Sequence, residues 1–163
     1  MGGGEAGTVH PMPQQPIGDV LRNYAEAWEA GDLVRVLDLY HPDFVLHYFG
    51  ESPLAGTHQG ADAAIAVLAE ATARSGRVLV RVVDRLVGER LGALVVVERL
   101  GPAGRQREVQ RVLVYRTEDG KLHECWLFDE DQRFVDRLWS DDAGQDAAFI
   151  ADTKSAIRSS GAE

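Results

Sequence analysis

The chain has few of the residues that build covalent or metal-based sites. Cysteine occurs once, at Cys125, which excludes an intrachain disulfide and a cysteine-based zinc site. The five histidines show neither an HExxH spacing nor a dense cluster, and no glycine-rich loop has the phosphate-cradling pattern of a nucleotide site. We therefore expect no metal and no cofactor.

Long apolar runs and positive charge are also scarce. No apolar run approaches about 18 residues, so no membrane-spanning helix is predicted. Residues 1–15 lack the apolar core of a secretory signal, and their Gly, Pro and Gln content predicts a flexible leader. Lys and Arg number 17 against 26 Asp and Glu, a formal net charge of −9. This charge disfavours nucleic acids and anionic membranes as partners. Because neither a secretory signal nor a membrane span is predicted, a cytoplasmic location is expected.

What the chain does contain is enough apolar content for one globular domain. Of its 163 residues, 45% are hydrophobic and 26% are charged. Apolar residues at helical spacing predict a first helix from about Pro16 to Ala30 and a second from Leu33 until Pro42 ends it. The same spacing predicts a third helix over 61–74 and a short fourth over 132–139.

Extended segments make up most of the remainder. A strand is predicted at 44–49, followed after the third helix by four runs at 77–87, 93–100, 106–116 and 122–129. The Asp119-Gly120 pair between the last two is a strong hairpin signal. Helices that precede an antiparallel meander predict an α+β fold. The tail, 141–163, is expected to be weakly structured or helical.

Four segments carry a family resemblance: AGDL at 30–33, DFVLHYFG at 43–50, DGKLHECW at 119–126 and DEDQRFVD at 129–136. Through them the chain resembles the SnoaL-like, ketosteroid isomerase-like family of the nuclear transport factor 2-like superfamily. The resemblance implies that residues 16–140 form a cone-shaped domain. In it, a curved antiparallel sheet and three N-terminal helices enclose one deep apolar pocket, and a homodimer forms through the outer sheet face.

The resemblance also implies candidate catalytic residues. Ketosteroid isomerases use an aspartate base, an oxyanion-binding tyrosine and a protonated aspartic acid, and these three positions fall here on His47, Tyr24 and Val112. Cyclases of the SnoaL type carry an acid/base aspartate late in the sheet. Asp129 is the nearest match, and Asp131 is a neighbouring option.

Each candidate has a chemical and a structural interpretation. The imidazole of His47, with an ordinary pKa near 6.5, is able to accept a proton in an apolar pocket, or it is a structural histidine. Asp129 would orient His47 or act itself as an acid/base, although either Asp129 or Asp131 would also suit a helix cap. Tyr24 would donate to an oxyanion, or it is a core tyrosine.

Other positions are assigned to the pocket wall or to the surface. The residues expected to line or underlie the pocket are Trp28, Phe49, Leu68, Val112, Val114 and Leu127. Cys125 is expected to be a small buried hydrophobe rather than a nucleophile. Arg99, Arg105, Arg107 and Arg111 sit among Glu98 and Glu108, which suggests cross-strand ion pairs on a solvent or dimer face.

Three functions remain open from these residues. The first is the binding of a small apolar molecule, with cofactor-free isomerisation, aldol-type cyclisation or dehydration beside a carbonyl. The second is non-catalytic ligand binding or dimerisation, which the valine at position 112 favours. The third and weaker function is epoxide hydrolysis, for which Arg111 and Asp129 supply part of an Asp-Arg-Asp arrangement.

Overall fold

The structure is a computed structural model that describes residues 15–140. It contains four helices and six strands within that range. The predicted tail, and all of the predicted leader except Gln15, lie outside the described residues, so those predictions stay open.

The four predicted helices are present close to their expected bounds. The helices are α1 (Ile17–Glu29), α2 (Leu33–Asp38), α3 (Ala61–Ser75) and α4 (Gln132–Trp139). Asp32 caps α2, since its carboxylate accepts the Arg35 backbone N–H at 3.1 Å. Asp131 caps α4 by accepting the Phe134 N–H at 3.0 Å. Of the two neighbouring aspartates, Asp131 is therefore the helix cap.

Six strands form one curved, open sheet. The strands are β1 (Tyr40–Tyr48), β2 (Gly56–Gln59), β3 (Val78–Val87), β4 (Gly92–Leu100), β5 (Arg107–Glu118) and β6 (Lys121–Asp129). Their order across the sheet is β2-β1-β6-β5-β4-β3. The predicted α+β fold with a curved sheet and three N-terminal helices is confirmed. Asp119 and Gly120 both have positive φ, as the predicted tight hairpin between β5 and β6 requires.

Three features of the sheet differ from the expectation. All neighbouring strands are antiparallel except β1 and β6, which pair in parallel. The short edge strand β2 was not predicted. Strand β1 also starts earlier than expected, at Tyr40, so Pro42 lies inside it rather than directly after a helix. The β1–β6 register shifts between Tyr40 and Val45, and such an irregularity accommodates a proline that cannot donate to the ladder.

The helices lie on one face of the sheet and bury it. Helix α1 packs against β3, β4 and β5, while α3 packs against β1 and β2. We call the helix-covered side the concave face and the opposite side the outer face. Because side chains alternate along a strand, every second residue of β1, β5 and β6 points to the concave face. Burial of each such leucine, valine or phenylalanine stabilises the fold by about 1.5–3 kcal/mol.

Candidate ligand cavity

A cavity of about 410 Å³ lies between the concave face and helices α1, α2 and α3. The sheet contributes a mainly apolar wall: Tyr40, Leu46, Leu113, Tyr115, Cys125 and Leu127. The helices contribute the facing wall, which includes Tyr24, Trp28, Val36, Ile65, Leu68 and Thr72. Leu33 and Leu37 of α2 also line the cavity and are 67% and 47% exposed. Helix α2 therefore forms the rim at which the cavity meets solvent.

Three tyrosines contribute their hydroxyl groups to this wall. The Tyr24 and Tyr40 hydroxyls share a hydrogen bond of 2.8 Å, and the Tyr115 ring packs edge-on against Tyr24 at 5.7 Å between centroids. Desolvation by burial raises the pKa of all three phenols above the ordinary value of 10.0. At neutral pH these groups are therefore uncharged hydroxyls that can donate a hydrogen bond.

Cys125 lies in the same wall but is a poor nucleophile. Its thiol is buried, and desolvation raises its pKa from 9.0 to about 12. Since the thiolate is the reactive form, this thiol is inert at neutral pH. The expectation that Cys125 is a small buried hydrophobe is confirmed.

Arg77 is the charged member of the cavity wall within residues 15–140. It lies between α3 and β3, and its side chain is 15% exposed. Its Nε donates to Thr72 Oγ1 at 3.2 Å, and its Nη1 lies 3.5 Å from Glu98 Oε1. Arg77 thereby joins the apolar cavity to a buried ionic cluster.

This buried ionic cluster consists of Glu98, Arg111, Asp129 and Tyr48. Arg111 donates to Glu98 at 2.5 Å, to both oxygens of Asp129 at 2.5 and 3.1 Å, and to the Tyr48 hydroxyl at 2.8 Å. Four of the five N–H groups of its guanidinium are thus engaged. The Arg111 and Asp129 side chains are 0% and 1% exposed. None of these four side chains is part of the cavity wall.

Burial and charge act oppositely on the two carboxylates. Desolvation raises the pKa of Asp129 above its ordinary value, even though Arg111 acts to lower it. Desolvation also acts to raise the pKa of Glu98, but the charges of Arg77 and Arg111 outweigh it and leave this pKa below the ordinary value. Asp129 is therefore the carboxyl of the cluster that protonates more readily.

Comparison with known proteins identifies the family to which this fold belongs. The family model of the SnoaL-like domain matches residues 21–125, more than half of the chain. The chain belongs to the SnoaL-like domain family. No curated protein matches the chain significantly.

Solved structures resemble this SnoaL-like domain in fold. A Xanthomonas campestris protein of unknown function with a cystatin-like fold is 25% identical, with a TM-score of 0.70 over 77% of this chain and 99% of that one. TerC, co-crystallised with polyporic acid, is 16% identical, with a TM-score of 0.63 over 75% and 97%. A candidate SnoaL-like polyketide cyclase from Mesorhizobium loti is 18% identical, with a TM-score of 0.60 over 70% and 99%.

The SnoaL-like domain places four of the predicted site residues in the cavity wall. They are Tyr24, Trp28, Leu68 and Leu127. Tyr24 and Trp28 lie one turn apart on α1, with ring centroids 5.7 Å from each other. Helical spacing alone had put these two side chains on one face of the helix, and the fold turns that face toward the sheet.

His47 lies on the outer face instead. Leu46, its neighbour in β1, lines the cavity, and strand alternation then turns His47 away from it. The imidazole Nε2 lies 2.7 Å from Glu124 Oε1, Nδ1 lies 3.1 Å from Thr57 Oγ1, and the ring stacks on Trp126. The prediction that His47 looks into the pocket is corrected by this geometry. Its carboxylate partner is Glu124, not Asp129.

Three predicted wall residues also lie elsewhere. Phe49 follows β1, is 41% exposed and stacks on Phe128 at 4.9 Å between centroids. Val112 and Val114 alternate with the cavity-lining Leu113 of β5, so they point to the outer face. In β1 and β5, each residue that the resemblance assigned to the cavity is one position away from the residue that lines it: His47 beside Leu46, and Val112 and Val114 beside Leu113.

Sequence reasoning missed Arg77, Tyr40 and Tyr115 in the wall and Glu98 in the ionic cluster. It joined Arg111 to Asp129 only in the epoxide-hydrolysis alternative and otherwise placed Arg111 among surface ion pairs. The expected surface ion pairs are present for Arg99, whose Nη2 lies 3.2 Å from Glu108. Glu98 and Arg111 are instead 1% exposed and belong to the interior. The sequence signal for the burial of Arg111 was the alternation in β5, since residues 111, 113 and 115 point to the same face of the strand.

Neither a metal site nor a membrane-spanning helix is found in the described part of the chain. In residues 15–140 no group of three or more His, Cys, Asp or Glu side chains is arranged to hold a metal ion. No helix in the same range is long and apolar enough to cross a membrane.

Proposed function

We propose that this SnoaL-like domain binds one small, mainly apolar organic molecule between its helices and the concave face of its sheet. The observation that carries the proposal is the cavity itself. Its volume of about 410 Å³ lies within the range of about 300–1,000 Å³ that is common for small-molecule sites. Its wall combines aliphatic and aromatic side chains with a few polar groups, as such sites do.

The polar groups favour recognition of an oxygen-bearing ligand. The Tyr24–Tyr40 hydroxyl pair is neutral and able to donate outward, and Arg77 supplies a charged donor. TerC, a structure of the same fold, was co-crystallised with polyporic acid, which supports the use of this fold for small organic molecules.

Binding is favoured over acid/base catalysis by what the wall contains. Within residues 15–140 no carboxylate or imidazole lines the cavity. Its phenols and its thiol have pKa values raised by burial, so none of them is a base at neutral pH. A cavity of this kind holds and orients a ligand without an efficient proton acceptor of its own.

Titration of the full chain with 2-acetylnaphthalene, a neutral apolar ketone, tests the proposal. We expect saturable binding by calorimetry and a rise in melting temperature, since a ligand at 100 times its Kd stabilises the folded state by about 2.7 kcal/mol. Leu68→Trp projects a larger ring into the cavity and should weaken both signals. Val34→Trp is the control, because Val34 is 72% exposed and does not line the cavity. Undiminished binding by folded Leu68→Trp would contradict the proposal.

Cofactor-free isomerisation, cyclisation or dehydration is a second candidate, favoured by the position of Asp129. This carboxyl lies outside the cavity wall but on the same concave face, two residues beyond cavity-lining Leu127, and burial raises its pKa. Tyr24 would then stabilise an enolate. The test is exchange of the ketone's methyl protons in D₂O, followed by NMR. Catalysis requires exchange above the buffer rate that falls at least tenfold in Asp129→Asn and Tyr24→Phe.

Epoxide hydrolysis is the weakest of the candidate functions. The Asp-Arg-Asp arrangement needs a second carboxylate on a neighbouring strand. Glu98 of β4 occupies such a position, since Glu98 and Asp129 flank Arg111. This triad is fully buried and outside the cavity wall, and Arg111 has four of its five N–H groups engaged. An epoxide in the cavity would therefore not meet the triad directly.

We also propose that the domain forms a homodimer through its outer face, as the family resemblance implies. The stacked Phe49 and Phe128 rings there are 41% and 46% exposed, which is high for side chains of this type. Light scattering after size exclusion should give twice the chain mass of 17.8 kDa. Phe128→Glu should shift it to the monomer, and a wild-type monomer at all concentrations would reject the proposal.

A further inference from the structure

We infer that the cavity is selective for an apolar acid, whose carboxylate is held by Arg77. The inference rests on the proposed ligand-binding function and adds the chemical class of the ligand. Its basis is Arg77, whose guanidinium is the one charged group in the wall formed by residues 15–140 and has hydrogen-bonding capacity left over.

The guanidinium of Arg77 is only partly engaged by the protein. Its Nε donates to Thr72, and its Nη1 makes an ion pair with Glu98 at 3.5 Å, which is longer than a good charge-assisted hydrogen bond. Its Nη2 has no hydrogen-bond partner within residues 15–140. A guanidinium offers five donors, so Arg77 retains enough of them for a bidentate contact with a carboxylate.

Glu98 does not depend on Arg77 alone. It accepts a hydrogen bond of 2.5 Å from Arg111, which also holds Asp129 through two contacts. The four charges of Arg77, Glu98, Arg111 and Asp129 balance when all are ionised. An incoming carboxylate therefore shares Arg77 with Glu98, while Arg111 keeps Glu98 paired. Asp129, whose pKa burial raises, is the group able to take up a proton and restore the balance.

The rest of the wall favours the remainder of such a ligand. Away from Arg77 and Thr72, the α3 wall is apolar at Ile65 and Leu68, and the sheet opposite presents Leu113 and Leu127. An aromatic or aliphatic body would bury against these side chains while its acid group meets the guanidinium. The geometry thus fits an amphipathic molecule with a single charged end.

The test compares two ligands of nearly the same shape. 2-Naphthoic acid and 2-acetylnaphthalene share a ring system, and the ketone has a methyl group in place of one carboxylate oxygen. By calorimetry at pH 7, we expect the full chain to bind the naphthoate about tenfold more tightly than the ketone. Equal affinity, or preference for the ketone, overturns the inference and leaves the proposed binding function standing. Failure of both ligands to bind overturns both.

Variants assign the preference to Arg77. Arg77→Gln should reduce the tenfold preference to parity by weakening only naphthoate binding, whereas Arg77→Lys should retain part of it. Arg81→Gln is the control for a lost positive charge, since Arg81 is 58% exposed and outside the cavity wall, and it should keep the full preference. A preference that survives in Arg77→Gln overturns the inference. If Arg77→Gln does not fold, an undiminished preference in Arg77→Lys, or loss of the preference in Arg81→Gln, overturns the inference.

Discussion

We expect the replacement of Arg111 to lower the free energy of unfolding strongly. Its guanidinium is 0% exposed and neutralises two carboxylates that are themselves 1–2% exposed. In Arg111→Met, a shorter and uncharged side chain leaves Glu98 and Asp129 buried close together. Breaking one buried pair by removing a partner costs about 3–5 kcal/mol. Since one arginine serves two carboxylates here, we expect the upper end, about 5 kcal/mol.

Urea unfolding followed by tryptophan fluorescence measures this loss. With a slope of about 1–3 kcal/mol per molar urea for a small domain, a cost of about 5 kcal/mol lowers the midpoint by roughly 2 M or more. Such a loss is comparable to the whole stability of a weakly stable domain, about 5–15 kcal/mol in total. Arg99→Met is the matched control. Arg99 is 45% exposed in its ion pair, so its loss should change stability by no more than about 0.5 kcal/mol.

A rescue experiment separates lost charge pairing from lost packing. Replacement of the whole triad by apolar residues, as in Arg111→Met/Glu98→Met/Asp129→Leu, removes the two carboxylates that Arg111→Met leaves without this guanidinium. Arg77 loses Glu98 but keeps its hydrogen bond to Thr72 and is 15% exposed, so most of the stability should be recovered. If Arg111→Met alone costs less than about 1 kcal/mol at an unchanged slope, the two carboxylates do not need the guanidinium. The account of the buried ionic cluster would then be refuted.

Four further variants and measurements test single features. Because burial raises the pKa of the Cys125 thiol to about 12, iodoacetamide at pH 8 should modify it only in urea, and rapid modification of the folded chain would contradict this. The charges of Arg77 and Arg111 outweigh burial and hold the pKa of Glu98 below 4.5. The ionised carboxylate therefore stabilises the fold above about pH 4.5, and this stability is lost as the pH falls through the lower folded-state pKa. Glu98→Gln should reduce the decrease of the urea midpoint with falling pH in this acid range. Trp139 Nε1 is buried without a partner within residues 15–140, so Trp139→Phe should cost well below the about 3–5 kcal/mol expected for Trp139→Ala in thermal unfolding. His47→Ala should leave ketone binding within about twofold, and a larger loss would connect the outer face to the cavity.

Much of the fold was predictable because helices and hairpins leave local signals. Apolar spacing located α1 and α3 within about one residue at each end, and Asp119-Gly120 fixed the last hairpin. Strand β2 gave no such signal, since its four residues are exposed or half-buried and have no apolar alternation. Its strand state is set by pairing with β1, which is a non-local interaction.

The cavity was predictable in kind but only partly in its residues. Helical periodicity identifies the buried side of α1 without any register, and Tyr24 and Trp28 followed from it. Strand β1 is apolar on both parities at 44–49, so its pattern does not say which residues face the helices. A shift of one residue then exchanges Leu46 for His47 and moves the imidazole of this segment to the other face.

The alternation in β5 carried the missing information about charge. Leu113 and Tyr115 are apolar or aromatic, and residues two apart share a face, so Arg111 belongs with them on the concave side. A charged residue on an apolar parity has to be paired, and its register partner Asp129 and the next strand's Glu98 provide the two carboxylates. Reading arginines as surface pairs ignored this parity. The same argument separates Arg111, which serves the interior, from Arg77, which lies outside the strands and can turn its unused donors to the cavity.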